Sequence, residues 1–142
     1  MNNNDLIYRQ SGVVPYRYEQ NELKILLITS RHRKRWIIPK GIVDYGFSPQ
    51  ESAEKEAYEE AGIKGNIDPR KIGKYQFQKW GGQVTVKVFL FMVTDELDSW
   101  PESSFRQKKW VSVEEAEQLV DLEGLRKILQ NLPSVLKKRG VL

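Results

Sequence analysis

Alternating and clustered apolar positions predict β-strands on both sides of one central helix. The segments with the alternation or apolar density of strands are residues 5–18, 23–30, 36–38, 63–67, 71–80, 84–94 and 105–112. Asn21 and Glu22 fit a hairpin turn between the first two strands, and Gly81 and Gly82 fit a second hairpin. Asp95 to Glu102 is predicted to form an acidic loop after the strand with the highest apolar density.

The central helix is predicted to have two contrasting faces. Ser48 and Pro49 are typical of a helix start, and Gly62 is typical of its end. At 100° per residue, small side chains form one stripe and carboxylates form an adjoining one, the members being Ala53, Ala57, Ala61 and Glu56, Glu59, Glu60. The small stripe allows the helix to lie close against a sheet, so the acidic face points along one edge of that contact.

Two further helices are predicted near the C-terminus. Ser112 and Glu115 have the spacing of a capping box and open a helix that runs to Val120. Residues 122–136 place leucine and isoleucine side chains on one face, which predicts an amphipathic helix broken near Pro133. Strands around a central helix, with helices again at the end, predict an α/β fold with a mixed sheet and helices on both faces. Residues 1–142 are expected to form one domain.

The acidic face of the central helix has two interpretations. Like charges at this spacing repel each other, and the simplest interpretation is a solvated helix face. The preceding loop, however, contains Pro39, Gly41 and Gly46, which bring backbone carbonyl groups beside the carboxylates. Ligands that are all oxygen suit a hard cation such as Mg²⁺ or Mn²⁺, which would convert the repulsion into attraction.

The segment from residue 41 to 63 resembles the Nudix box, G-x5-E-x7-R-E-U-x-E-E-x-G-U, where U is a bulky aliphatic residue; this chain reads GIVDYGFSPQESAEKEAYEEAGI. The spacing matches throughout, but Phe47 stands where the family has Glu, Lys55 where it has Arg, and Ala57 where it has a larger aliphatic residue. In the family that Glu and Arg help to orient the helix. Their replacement implies either a rewired loop, with Lys55 paired to Glu51 or Glu59, or weakened activity. The intact metal-binding end favours retained activity.

The resemblance implies a Nudix-type α/β/α sandwich and a metal-dependent hydrolysis of a phosphoanhydride bond. It implies that Glu56 and Glu60 hold Mg²⁺ or Mn²⁺ and that the carbonyl of Lys40 adds a ligand. Glu59 is the candidate general base, with Glu56 as the alternative. A further acidic ligand from a later loop is expected to be one of three residues, Glu96, Asp98 or Glu102.

Substrate phosphates are expected to bind cationic side chains outside the box. Arg31 is the first candidate because its guanidinium can contact two oxygens at once, and Arg9 and Lys79 are the weaker ones. Trp80, beside a glycine pair, fits either stacking on a nucleobase or a cross-strand aromatic contact in the hairpin.

Segments outside the box resemble the branch that contains the diadenosine polyphosphate hydrolases and the diphosphoinositol polyphosphate phosphohydrolases. The matching steps are SRH at 30–32, RW at 35–36, PKG at 39–41, WPE at 100–102 and WVS at 110–112. The expected substrate is therefore either a diadenosine polyphosphate or a diphosphoinositol polyphosphate. Members that act on inositol phosphates carry several basic residues around the hairpin, whereas here only Lys79 is basic. The alternative function is a catalytically inactive Nudix-fold module that senses a nucleotide or binds a protein.

Composition narrows the partners and the setting. The net charge of +4 and the basic run RHRKR at 31–35 favour an anionic partner, and a small polyphosphate suits a basic run beside an acidic helix. A nucleic-acid-binding role is disfavoured because the box would place acids near any groove and no known reader motif is present. The absence of cysteine, of a long apolar run and of a signal-peptide pattern leads us to expect a cytoplasmic protein without a membrane role, either a monomer or a homodimer.

Overall fold

The computed structural model describes residues 6 to 141, which form strands and helices around one sheet. The strands are β1 Ile7–Glu19, β2 Glu22–Thr29, β3 Trp36–Ile37, β4 Lys40–Ile42, β5 Ile63–Ile67, β6 Gly73–Lys79, β7 Gly82–Glu96 and β8 Lys108–Ser112. The helices are α1 Pro49–Ala61, α2 Val113–Leu119 and α3 Glu123–Lys138. No helix in this described part of the chain is long and apolar enough to cross a membrane.

The sheet is mixed. Its main path runs β3-β2-β1-β7-β5, while β4 pairs with β1, β6 with β7 and β8 with β2. The long strands β1 and β7 are parallel, with Ile7 opposite Gln83 and Tyr16 opposite Met92. The other strand pairs are antiparallel.

Helices cover both faces of the sheet because successive side chains of a strand point to opposite sides. Val13 and Val14 of β1 show this alternation, since each belongs to a different core cluster. One cluster joins the sheet to the alanine stripe of α1, and its members include Val13, Leu26, Ile28, Phe89 and Phe91. The other joins the sheet to α2 and α3 through Val14, Val86, Val111, Leu129 and Leu132, among others. The predicted α/β/α sandwich with a mixed sheet is confirmed.

Helix α1 follows its sequence signals. Ser48 is the N-cap and forms a capping box with Glu51, and Gly62 ends the helix in the left-handed conformation with φ of 65°. The three alanines of the stripe are fully buried. Because their side chains are small, the helix backbone lies close to β1 and the carboxylates next to the stripe reach the sheet edge.

Both predicted hairpin turns are displaced by one residue. The turn residues between β1 and β2 are Gln20 and Asn21, with φ of 53° and 66°. Those between β6 and β7 are Trp80 and Gly81, with φ of 55° and 68°. Two positive φ angles match the turn geometry that follows the twist of a hairpin. Gly82 is instead part of β7, where an added Cβ would lie 2.6 Å from the carbonyl oxygen of Leu6.

Three other boundaries differ from the prediction. Helix α3 continues through Pro133 to Lys138, because Pro133 lies on the exposed side while Leu129, Leu132 and Leu136 keep one buried face. Asp95 and Glu96 extend β7, where they pair with β5, so the acidic loop is shorter than expected. The last strand begins at Lys108, three residues after Phe105, because residues 101–105 form a turn.

Candidate active site

Glu56 lies against the loop that precedes α1. An added Cβ at Gly41 would be 2.4 Å from the carboxyl carbon of Glu56 and 2.5 Å from one of its oxygens. Only glycine therefore leaves room for this carboxyl beside β4. Burial, together with the neighbouring carboxylates of Glu60 and Glu59, raises the pKa of Glu56 to about 8. Such a carboxyl is poised to accept a cation.

Glu60 is nearly buried, and each of its oxygens accepts a hydrogen bond. The backbone N–H of Lys40 donates to Oε1 at 2.9 Å, and the guanidinium of Arg106 donates to Oε2 at 2.9 Å. Burial raises the pKa of Glu60 to about 7, although Arg106 and the Lys40 N–H act in the opposite direction. Glu60 thus joins α1 to β4 and to the segment before β8.

Arg106 is a residue of this site that no motif in the sequence reveals. Its side chain is only 7% exposed and donates to Glu60, to Glu102 Oε1 at 2.7 Å and to the carbonyl of Thr29 at 2.8 Å. A buried arginine needs such partners, because an unpaired charge is costly in the interior. The one sequence signal was its spacing four residues after Glu102; its other partners are distant in sequence.

The three candidate acids of the later loop have different surroundings. Glu102 is linked to Glu60 through Arg106. Glu96 contacts Lys108, Arg17 and the indole N–H of Trp110 instead. Asp98 is exposed. Of the three, Glu102 is the one that the fold brings to the acidic end of α1.

Lys55 shows how the loop accommodates the two departures from the box. Its Nζ lies 2.8 Å from Asp44 Oδ2 and 3.9 Å from Glu59 Oε1. Glu51, the other expected partner, is held in the capping box. Phe47 is 45% exposed, with Lys55 Nζ 5.8 Å from its ring centre. An Asp44–Lys55 pair therefore ties the loop to the helix, which corresponds to the rewired loop.

The C-terminal end of α1 is held by side chains from the later loop. The indole of Trp100 donates to the carbonyl of Glu60 at 2.9 Å. Lys108 Nζ donates to the carbonyl of Ala61 at 2.9 Å and lies 3.9 Å from the centre of the Trp100 ring. The last carbonyls of a helix have no partners within the helix, and a cation there also interacts favourably with the helix dipole.

A basic and aromatic surface adjoins the acidic end. Lys40 Nζ donates to Gln10 Oε1 at 3.1 Å and lies 4.8 Å from the centre of the Phe77 ring. Burial lowers the pKa of Lys40 to about 8, against the opposing effect of Glu60. Lys79 lies on the same face and also lowers this pKa.

Trp80 makes an aromatic contact and also keeps an exposed face. Its ring meets Tyr8 edge to face at 5.2 Å, and the Tyr8 hydroxyl donates to the Trp80 carbonyl. The indole is nevertheless 49% exposed, with Lys79 Nζ 4.8 Å from its ring centre. The aromatic partner of Trp80 thus comes from β1 and not from the opposite strand of the hairpin, and about half of the Trp80 side chain is exposed.

The two candidate arginines lie in different places. Arg31 is exposed, and its guanidinium lies 4.7 Å from the ring centre of Phe105, the residue before Arg106. Arg9 is an even number of residues from Val13 along β1, so both side chains lie on the same face of the sheet, the α1 face. Lys40 pairs with Gly12 and lies on the other face, so the fold does not bring Arg9 and Lys40 together.

The donor set suits a divalent cation. Within residues 6–141 no three His, Cys, Asp or Glu side chains are close enough to hold a metal by themselves. A cation at this position would need backbone oxygen among its ligands. Pro39 and Val43 make the hydrogen bonds to β1, so the peptide groups of Lys40 point away from that strand, and its N–H reaches Glu60. The Lys40 carbonyl and the Glu56 carboxylate are hard oxygen donors beside Gly41, which fits Mg²⁺ or Mn²⁺.

The sandwich and the acidic helix end define a protein of the Nudix class. The model of the NUDIX domain matches residues 9–132, and the chain belongs to this family. The resemblance seen in the sequence is confirmed.

Similar proteins include enzymes named for different substrates. The chain is 36% identical over 130 residues to Nudix hydrolase 21, chloroplastic, of Arabidopsis thaliana, covering 87% of this chain and 65% of that protein. It is 31% identical over 110 residues to diphosphoinositol polyphosphate phosphohydrolase 3-alpha of Mus musculus, covering 76% of this chain and 66% of that protein. Both alignments span slightly less than two thirds of those relatives. The crystal structure of the C. elegans Ap4A hydrolase superposes with a TM-score of 0.78 at 25% identity, over 92% of this chain and 99% of that one.

Proposed function

We propose that this chain hydrolyses a phosphoanhydride bond of a small polyphosphorylated molecule with a bound divalent cation. The observation that carries the proposal is the Glu56 carboxyl, which is packed against Gly41 beside Glu60 and the Lys40 backbone. A buried group of like charges is costly unless a cation or a proton relieves it. Here the cation would be Mg²⁺ or Mn²⁺.

Glu56 and the Lys40 carbonyl would hold the cation. Glu60 joins them when Oε2 is not bonded to Arg106, and Glu102 is the added acid that this arrangement favours. A cation held by these residues would offset the negative charge of the phosphates and favour ionisation of the attacking water.

Glu59 is the proposed general base, with Glu56 as the alternative. The Glu59 side chain is 36% exposed and next to Glu60 on the helix, so water can reach it. Lys55 Nζ, 3.9 Å from Glu59 Oε1, restricts its orientation. Glu59 takes the proton as the water oxygen attacks phosphorus, and the phosphorus–oxygen bond to the leaving phosphate breaks.

Cationic side chains are proposed to bind the remaining phosphates. Lys79 is close enough to affect the pKa of Lys40, and both lie on the face of the sheet opposite α1, which we call the cleft face. Arg31 lies at the Phe105 side of the acidic end. Arg9 is the weakest candidate, because it lies on the other face.

The half-exposed Trp80 ring favours a substrate with a nucleobase, because an indole face is a stacking surface. A diadenosine polyphosphate is thus the first expectation, consistent with the similarity to the Ap4A hydrolase structure. A diphosphoinositol polyphosphate is the second, consistent with the similarity to the mouse enzyme. A cytoplasmic location stays a prediction; one plant relative is named as chloroplastic.

A substrate panel tests the proposal. Diadenosine tetra- to hexaphosphates, nucleoside triphosphates, sugar nucleotides and an inositol pyrophosphate would each be incubated with Mg²⁺, Mn²⁺ or chelator, and the products separated by chromatography. We expect metal-dependent release from one class, and its loss in Glu56→Gln. If the folded protein released no product from any substrate of the panel, the proposal would be contradicted. A ligand that raises the melting temperature without product would favour the sensor, although the Asp44–Lys55 pair removes much of the support that the box departures gave it.

A further inference from the structure

We propose that the chain has a second anion site, a cavity on the α1 face of the sheet that binds a small molecule with two or more phosphate groups. The cavity has a volume of about 490 Å³ and is lined by Arg9, Lys74, Thr85 and Lys87, with Ile7 and Val43 among its apolar members. We call it the β1–β6 cavity. This volume is in the range of small-molecule sites.

The β1–β6 cavity is separate from the proposed active site. Thr85 and Lys87 have the same parity along β7 as Phe89, which packs against the alanine stripe of α1. Arg9 is directly opposite Thr85, and Lys74 is directly opposite Lys87. Lys40 and Lys79, the stronger cationic candidates for the active site, lie on the other face, whereas Arg9, the weakest of those candidates, is assigned here to the cavity instead. A ligand in the β1–β6 cavity would therefore not need the metal.

Among residues 6–141, the cationic side chains of this cavity have no acidic partner. In the part of the chain that is described, neither Arg9, Lys74 nor Lys87 forms an ion pair. Lys74 and Lys87 are cross-strand partners, and like charges directly opposite each other destabilise a sheet. An anion between them would reverse the sign of that interaction.

Neutral groups in the cavity are also suited to an anion. The amide of Gln76 donates to Thr85 Oγ1 at 3.3 Å, and Gln83 donates in turn to Gln76 Oε1 at 2.9 Å. The Thr85 oxygen is thus used as an acceptor, and its hydroxyl hydrogen remains to be donated. An arginine fork, two ammonium groups and a hydroxyl donor are chemically matched to phosphate oxygens.

The cavity is open to solvent but is lined by the sheet on one side and by Val43 and Pro49 on another, which favours a small ligand over an extended acidic peptide or a nucleic acid. Its border includes the loop before α1, because the N–H of Val43 donates to the carbonyl of Arg9 at 3.1 Å. A phosphate compound bound there would contact both the sheet and this loop.

The test is a titration of the metal-free protein with inorganic tripolyphosphate in the presence of chelator. Binding is measured by calorimetry and by changes in amide chemical shifts. We expect binding with shifts at residues 74, 85 and 87. The double variant Lys74→Gln/Lys87→Gln should bind at least about tenfold more weakly, since two charge-assisted contacts are lost. Its melting temperature should equal or exceed that of the unmodified chain, because the like-charge pair is gone.

Two controls distinguish the cavity from other sites. Lys127→Gln/Lys138→Gln removes the same charge from exposed positions on α3 and should bind tripolyphosphate normally. Lys79→Gln alters the cleft face and should also leave this binding unchanged. No binding by the unmodified chain, equal weakening in the α3 control, or weakening in Lys79→Gln alone would each overturn the proposal. Lysine-dependent binding of a single-stranded oligonucleotide without binding of tripolyphosphate would overturn it as well, in favour of a nucleic-acid surface.

Discussion

Replacement of Arg106 by methionine should destabilise the fold strongly through Glu60. The substitution removes the donors to Glu60, Glu102 and the carbonyl of Thr29. The Glu60 side chain is 10% exposed, so water cannot fully replace the guanidinium. Methionine is long and flexible enough to fill most of the vacated volume, so the main effect is electrostatic.

At about pH 9, where Glu60 with its folded pKa of about 7 is ionised, the expected loss is about 4 kcal/mol in the free energy of unfolding. Removing one partner of a buried ion pair costs about 3–5 kcal/mol, because the other charge stays buried without compensation. The Thr29 carbonyl also loses a hydrogen-bond donor, so the expected loss of stability lies above the lower end of this range. Since domains are stable by about 5–15 kcal/mol, the variant should still fold while its unfolding midpoint falls markedly.

Urea unfolding in chelator measures this loss, and a double-mutant cycle assigns it. Glu60→Gln removes the charge that Arg106 compensates, so the double variant should regain about 2 kcal/mol relative to Arg106→Met. Lys109→Met breaks an exposed pair with Glu115 and should change stability by less than about 1 kcal/mol. A loss below about 1 kcal/mol for Arg106→Met, or no coupling to Glu60→Gln, would refute the assignment.

Three further predictions concern single positions. Glu59→Gln should lower turnover at least about 10²-fold with an unchanged melting temperature. The control Glu54→Gln, which is exposed on the same helix, should be active. Normal turnover by Glu59→Gln would move the role of general base to Glu56. Gly41→Ala should weaken Mn²⁺ binding in calorimetry, because its Cβ would occupy the space of the Glu56 carboxyl. The control Ile42→Ala should bind Mn²⁺ normally. Equal Mn²⁺ affinities of the two variants would show that Glu56 is not held beside Gly41. The hydrogen bonds from Arg70, aided by Arg139, lower the pKa of Asp68 to about 2, so Asp68 stabilises the fold above its unfolded pKa near 3.8 and this stability is lost as the pH falls towards 2. Asp68→Asn should therefore melt below the unmodified chain at pH 7 and converge with it near pH 2, and a difference independent of pH would exclude this cause.

Local chemistry explains why so much of α1 could be predicted. The Ser48–Glu51 capping box, the alanine stripe and Gly62 act within a few residues of one another, and the structure contains all three. The displaced turns have a different origin. The glycine at position 82 led to the prediction of a turn there. In the structure Gly82 belongs to β7, where a glycine is required because Leu6 approaches its Cα closely.

Long-range partners explain what the sequence did not reveal. Pro133 is a helix breaker by local rules, but the buried leucines on either side of it keep α3 continuous. Arg106 is 46 residues from Glu60, and no spacing rule connects them. Asp44 is the partner of Lys55, but the box pattern draws attention to a different position. The family has its acidic residue three residues later, where this chain has Phe47.

Lys108 and Trp100, which bond the last carbonyls of α1, have a consequence for the autonomy of the motif. A peptide of residues 41–63 would contain every carboxylate of the box, but the carbonyls of Glu60 and Ala61 would be open to water. Its final helical turn would fray. The box and the segment 100–108 thus form one structural unit, and grafting the box alone onto another scaffold would transfer its sequence without its geometry.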